Sequence, residues 1–153
     1  MASDTEPALA AERFVAMVEQ GLRVAPEFRW RLRAWNRGRV DLELDYDDAF
    51  ERPGGTISGP TMFTLADLTL WAAVCSIVGY APLAVTAHMA IHFLRRPRPV
   101  ALLARCEVLK AGRRLIHGDV RMHSVDRPGE VVCHATGAYA IPETSTSVPS
   151  SAP

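Results

Sequence analysis

Asp67 is the only Asp, Glu, Lys or Arg between Arg52 and Arg95, and it stands inside the apolar, helix-like run Thr61 to Gly79. A carboxylate carried into a core costs several kcal/mol unless it is paired, hydrogen-bonded or neutralised. Such a group needs a reason, and reactive sites supply that reason often. The run follows a glycine-rich lead-in, Gly54 to Pro60, that ends Ser58-Gly59-Pro60. Orphan N–H groups at the start of the helix, two turns before Asp67, can hold a developing oxyanion. A backbone donor for a carbonyl oxygen with a carboxylate nearby is what acyl-transfer hydrolysis needs. The competing reading makes Asp67 a solvated helix carboxylate or a cap for neighbouring backbone, and makes the glycines a flexible connection.

Other reactive side chains point to less. His88 and His92 are four apart in a strand-like run and share a face, but no third or fourth ligand is evident, so no metal is expected. His117, His123 and His134 are isolated in the sequence and receive no role. The lead-in lacks the endings of a phosphate-binding loop, and no G-x-S-x-G elbow supports a serine nucleophile. Arg95, Arg96 and Arg98 form one basic cluster, and Arg113 and Arg114 a second. They read either as solvated edge charge or as bidentate phosphate contacts.

The elements that must position these groups follow from periodicity. Residues from Pro7 to about 20 read as a short helix closed by Gly21. Arg29 to Trp35 alternates, with Trp30, Leu32 and Ala34 on one face and Arg29, Arg31 and Arg33 on the other. A turn at Asn36 to Gly38 and a second alternating run, Arg39 to Asp45, make a hairpin. Phe50 to Pro60 reads as a loop, and a helix over about 61–78 is apolar nearly all round, hence buried on most faces. Beyond Pro82 the period is two: Val85, Ala87, Met89, Ile91 and Phe93 on one face, and Thr86, His88, Ala90 and His92 on the other. Leu102 to Lys110, Arg114 to His123 and Val131 to Ile141 continue as strands, giving four that meander. The fold class is α+β, an antiparallel sheet wrapped around a long central helix. One domain over 1–142 and a disordered Ser/Thr/Pro tail over 143–153 are expected.

With 153 residues, 48% of them apolar and 22% charged, the chain has the composition of one soluble globular domain. Equal counts of 17 basic and 17 acidic residues leave no global field to recruit nucleic acid or an acidic membrane. Cys75, Cys106 and Cys133 are odd in number and widely spaced, which suits buried free thiols in a reducing cytoplasm. The acidic N-terminus is not a secretory signal. Pro82, Ser76 and Thr86 argue against a membrane span over the uncharged stretch Leu68 to Ala87.

Three segments together resemble one family: GGTISGPTMFTLADLTLWAAV, AVTAHMAIHFLRRPRP and ARCEVLKAGRRLIHGDVRMHSVDRPGEVVCHATGAYAIP. The stretch from about Asp45 to Pro142 resembles hotdog-fold acyl-CoA thioesterases of the phenylacetate-pathway, PaaI-like, type. That resemblance implies a homodimer, or a dimer of dimers, with two sites across the subunit interface and neither metal nor organic cofactor. It implies that Asp67 is the general base or nucleophile, that the Gly59 N–H stabilises the oxyanion, and that Thr86 positions the water. Arg95, Arg96 and Arg113 would receive the nucleotide and phosphates of coenzyme A. Where such proteins read His-Gly-Gly, this chain reads Ser58-Gly59-Pro60, so Ser58 offers a shorter hydrogen-bonding group in place of an imidazole. The pocket lining is expected from Met62, Phe63, Trp71 and the partner strand. The alternative reading is a non-catalytic hotdog protein that binds acyl-CoA or another small ligand.

Overall fold

Ala8 donates its N–H to the carbonyl of Ser76 at 2.8 Å, tying the start of the chain to the end of the central helix in this computed structural model, which describes residues 5–143. The chain bends at Ala8 and Leu9 and is extended at Ala10, so helix α1 is Ala11–Gly21 and begins four residues after the Pro7 expected to open it. The tail expected over 143–153 lies, beyond Glu143, outside the described residues.

Strands β1 (Trp30–Asn36) and β2 (Arg39–Leu44) form the expected hairpin, with Gly38 at φ +73° in its turn. The strict alternation read for β1 fails at a bulge between Leu32 and Ala34. One extra residue reverses the parity of everything after it. Ala34 therefore moves to the outer face, opposite Asp41, while Trp35 turns inward opposite Val40. Trp35 stacks on Phe14 at 5.3 Å, and Trp71 meets the same ring edge-on at 5.5 Å, which fixes α1 to the core.

The predicted loop before the central helix holds its own structure. A 3₁₀ turn at Asp48–Phe50 leads into a two-stranded ribbon, β3 (Glu51–Arg52) and β4 (Thr56–Ile57). Helix α2 is Gly59–Val78, two residues longer at its start than the periodicity suggests. Ser58 is the reason: its Oγ accepts from the Thr61 N–H at 3.4 Å, and Pro60 sits in the first turn, where an N–H is not needed. By length and composition α2 could span a membrane, yet 67% of its apolar window is buried inside the protein.

Four strands follow: β5 (Val85–Phe93), β6 (Leu102–Ala111), β7 (Leu115–Ser124) and β8 (Val131–Ala140). They join the first hairpin in one antiparallel sheet of order β1-β2-β6-β7-β8-β5. The simple meander is thus corrected: β6, β7 and β8 are consecutive, but β6 pairs with β2, and β5 lies at the far edge beside β8. The sheet curls around α2, the hotdog arrangement. Leu65, Leu70 and Val74 of α2 are fully buried under it. Gly118 and Gly137 face each other across β7 and β8, and a Cβ on either would come within 2.5 Å or 3.0 Å of the Leu70 side chain. The missing side chains form the groove in which Leu70 lies.

Candidate active site

Asp67 lies on the flank of α2 that faces the start of β5 and the end of β8, half-buried rather than sunk in the core. Two hydroxyls hold its carboxylate. Thr86 Oγ1 donates to Oδ1 at 2.6 Å, and Tyr139 donates its phenolic hydrogen to the same oxygen at 2.9 Å. The tyrosine oxygen also lies 3.3 Å from the Asp67 carbonyl. Burial first, and then the neighbouring Asp67 charge, hold the Tyr139 hydroxyl well above the usual phenol range. It therefore stays protonated and remains a donor.

Strict alternation puts Thr86 with His88 and His92, on the face away from α2. A bulge between Thr86 and His88 overturns that assignment. Ala87 is the extra residue, so Thr86 pairs with Tyr139 while His88 pairs with Ala138. The two hydroxyls then stand side by side on the helix-facing side of β5 and β8. Tyr139 was missed in the sequence because it sits in an apolar strand, where a buried aromatic needs no further reason.

The carboxylate opens into a cavity of about 540 Å³, walled by Phe63, Leu68 and Trp71 of α2, by Met17 and Leu22 from α1 and its end, and by Val85. That volume lies within the range of small-molecule sites. Phe63 and Trp71 line it as expected, whereas Met62 is buried on the other side and borders a second cavity of about 400 Å³ with Gly59, Phe93, Arg95 and Arg96. Phe63 and Thr64 border both the Asp67 cavity and a third space beside Gly59 and Phe93, so the sites adjoin along one side of α2.

The structure does not bring the other expected site residues to Asp67 within one chain. Gly59 is eight residues back, about 12 Å along the helix axis, and packs so close to Phe93 that a Cβ would meet its ring at 3.3 Å. Ser58 is occupied by the helix cap, sharing a 2.8 Å hydrogen bond with the Thr61 hydroxyl as well. Arg95 and Arg96 lie just past the end of β5, where Arg95 donates to the Val131 carbonyl at 2.8 Å. Arg113 lies at the opposite end of the sheet, in the β6–β7 turn with Arg114 and Glu143. The nine residues of β5, eight steps from Val85 to Phe93, separate those ends by about 26 Å.

The histidines gather elsewhere. His92 stacks on His134 at 6.5 Å, and His134 Nε2 lies 2.5 Å from Asp119 on the outer face of the sheet, so His134 is not isolated as its sequence context suggests. Among the described residues no cluster of three or more His, Cys, Asp or Glu is arranged to hold a metal.

Residues 54–133, from the glycine-rich lead-in to β8, match the family described as the thioesterase superfamily. The chain belongs to the thioesterase superfamily. A superfamily candidate from Silicibacter sp. TM1040, a solved structure described as a thioesterase by assignment, is 33% identical, with a TM-score of 0.79 over 90% of this chain and 94% of that one. A hypothetical thioesterase from Streptococcus pneumoniae TIGR4, solved with coenzyme A, is 21% identical with a TM-score of 0.71, covering 87% and 97%. A Streptococcus mutans UA159 protein bound to acetyl-CoA is 20% identical with a TM-score of 0.69, covering 79% and 94%. The latter two share the thioesterase fold. Among curated proteins none matches the sequence.

Proposed function

We propose that this thioesterase-superfamily member is a cytoplasmic hydrolase of acyl-CoA thioesters, of the PaaI-like type. The observation that carries the reading is the Asp67 carboxylate, held by two hydroxyls on the wall of a cavity of about 540 Å³. Structural neighbours solved with coenzyme A and with acetyl-CoA support the choice of thioester.

A site complete for this chemistry needs a second copy of the chain. Asp67 stands beside Thr86 near the start of β5, and Gly59 beside Phe93 at its end. Strand β5 is a sheet edge with no Asp, Glu, Lys or Arg from Val85 to Leu94, and it exposes Val85, Phe93 and Leu94. The other edge, β1, carries Arg31 and Arg33, as edges that stay unpaired do. Antiparallel pairing of two β5 edges about a two-fold axis would set the Phe93 end of one chain against the Thr86 end of the other. Gly59 of the partner subunit then approaches Asp67. The same operation carries Arg95 and Arg96 of the partner subunit toward the sheet end that holds Arg113, a shared basic rim for coenzyme A phosphates.

In that site the thioester carbonyl accepts from the Gly59 N–H, with the positive end of the α2 dipole behind it. Asp67 removes a proton from water as the water oxygen bonds to the carbonyl carbon. Collapse of the tetrahedral intermediate breaks the carbon–sulfur bond, and the thiolate leaves and is protonated. In the nucleophilic variant Asp67 itself bonds to the carbon, coenzyme A leaves, and water hydrolyses the resulting anhydride. The test is a panel of acyl-CoAs with release of free thiol followed by a disulfide reagent. Turnover that is lost in Asp67→Asn supports the reading. Saturable binding without thiol release in the wild type replaces it with a ligand-binding protein.

A further inference from the structure

We propose that Tyr139 is a positioning residue which, with Thr86, occupies one oxygen of Asp67 and leaves the other to react. This rests on the reading of Asp67 as the reactive carboxylate. Both hydroxyls donate to Oδ1, at 2.6 Å and 2.9 Å, and among the described residues no hydrogen bond reaches Oδ2. A carboxylate oxygen that accepts two short hydrogen bonds has its lone pairs committed and its charge drawn toward the donors. The proton from water, or the bond to the carbonyl carbon, therefore goes to Oδ2.

The two donors differ in kind. Thr86 lies on the edge strand and is exposed in the single chain. Tyr139 is 4% exposed, sits on a central strand and also reaches the Asp67 carbonyl, so it ties the carboxylate and the helix backbone to the same rigid point. Burial holds its hydroxyl protonated at neutral pH, which keeps it a hydrogen-bond donor to the carboxylate. Phe63, Leu68 and Trp71, the neighbouring parts of the cavity wall, present ring or aliphatic surface and cannot replace it.

The experiment is a double-mutant cycle between Tyr139→Phe and Asp67→Asn, with kcat, KM and the thermal midpoint read for each. Tyr139→Phe alone is expected to lower kcat about 10-fold and to leave KM within about two-fold, the signature of lost orientation with binding intact. In the Asp67→Asn background the same change should leave the residual rate within about two-fold, because its effect passes through the carboxylate. Wild-type kcat in Tyr139→Phe overturns the inference, as does an equal loss in both backgrounds. Wild-type turnover in Asp67→Asn overturns instead the hydrolase reading beneath it. Thr86→Val probes the same oxygen from a position exposed in the single chain, with the oligomeric state read alongside. It should also lower kcat with KM kept, and an unchanged kcat would remove the assignment of Oδ1 as the held oxygen.

Discussion

At the residue scale the proposed chemistry turns on a cavity-wall carboxylate with one oxygen bonded by Thr86 and Tyr139 and the other without a hydrogen bond among the described residues. Asp67→Asn keeps that shape and removes the base, and it should lower kcat by at least about 100-fold in the thiol-release assay. The assay itself makes a demand on the protein's own thiols. Cys75, Cys106 and Cys133 are all buried. Burial raises the Cys75 thiol to about 12, against a small opposing hydrogen bond from the Ala81 backbone, and raises the Cys133 thiol to about 11. Burial raises Cys106 further still. The reactive thiolate is thus scarce at neutral pH. The folded protein should titrate no thiol with the disulfide reagent over an assay, whereas all three should titrate in denaturant.

Elements, in turn, were legible wherever local pattern decides them and opaque wherever partners do. The apolar run from Thr61 and the alternation in β6, β7 and β8 identify helix and strands to within a residue or two, because burial periodicity is a local property. A bulge is not: Trp35 and Thr86 both sit on the face opposite to the one their spacing assigns, each behind one extra residue. Thr86 entered the candidate site by family resemblance alone, and the bulge at Ala87 is the physical reason it stands beside Asp67. The place of β5 at the sheet edge was equally hidden, since strand order depends on contacts far apart in the chain. Tyr139 shows a third kind of opacity, for its hydrophobic setting accounts for it fully until its hydroxyl is located. The glycine groove beneath the sheet gives a direct test. In Gly137→Ala the new Cβ would lie 2.8 Å from the His88 carbonyl and 3.0 Å from Leu70. The substitution should destabilise the fold by about 1–3 kcal/mol, read as a lower urea midpoint with unchanged slope.

For the molecule as a whole, the two edges of the sheet differ in charge and polarity. Edge β1 is guarded by arginines paired to Glu43 and Asp45, whereas β5 is uncharged and apolar. If two β5 edges pair and each site takes Asp67 from one chain and Gly59 from the other, two inactive variants should rescue each other. Asp67→Asn mixed with Gly59→Val, unfolded together and refolded at equal concentrations, should recover about a quarter of wild-type turnover, since half the dimers are mixed and each has one intact site. Recovery near zero would place both residues in the same subunit's site. The cavity wall adds a further asymmetry. Met17, Leu22 and Val24 come from α1 and its exit, ahead of the stretch 54–133 that matches the superfamily, while Asp67 lies within that stretch. In the proposed hydrolase, part of the wall of the acyl slot would therefore come from a length of polypeptide separate from the one that carries the carboxylate. On that reading, exchanging the side chains at Met17, Leu22 and Val24 would retune which acyl chains are admitted while Asp67 keeps its hydrogen bonds.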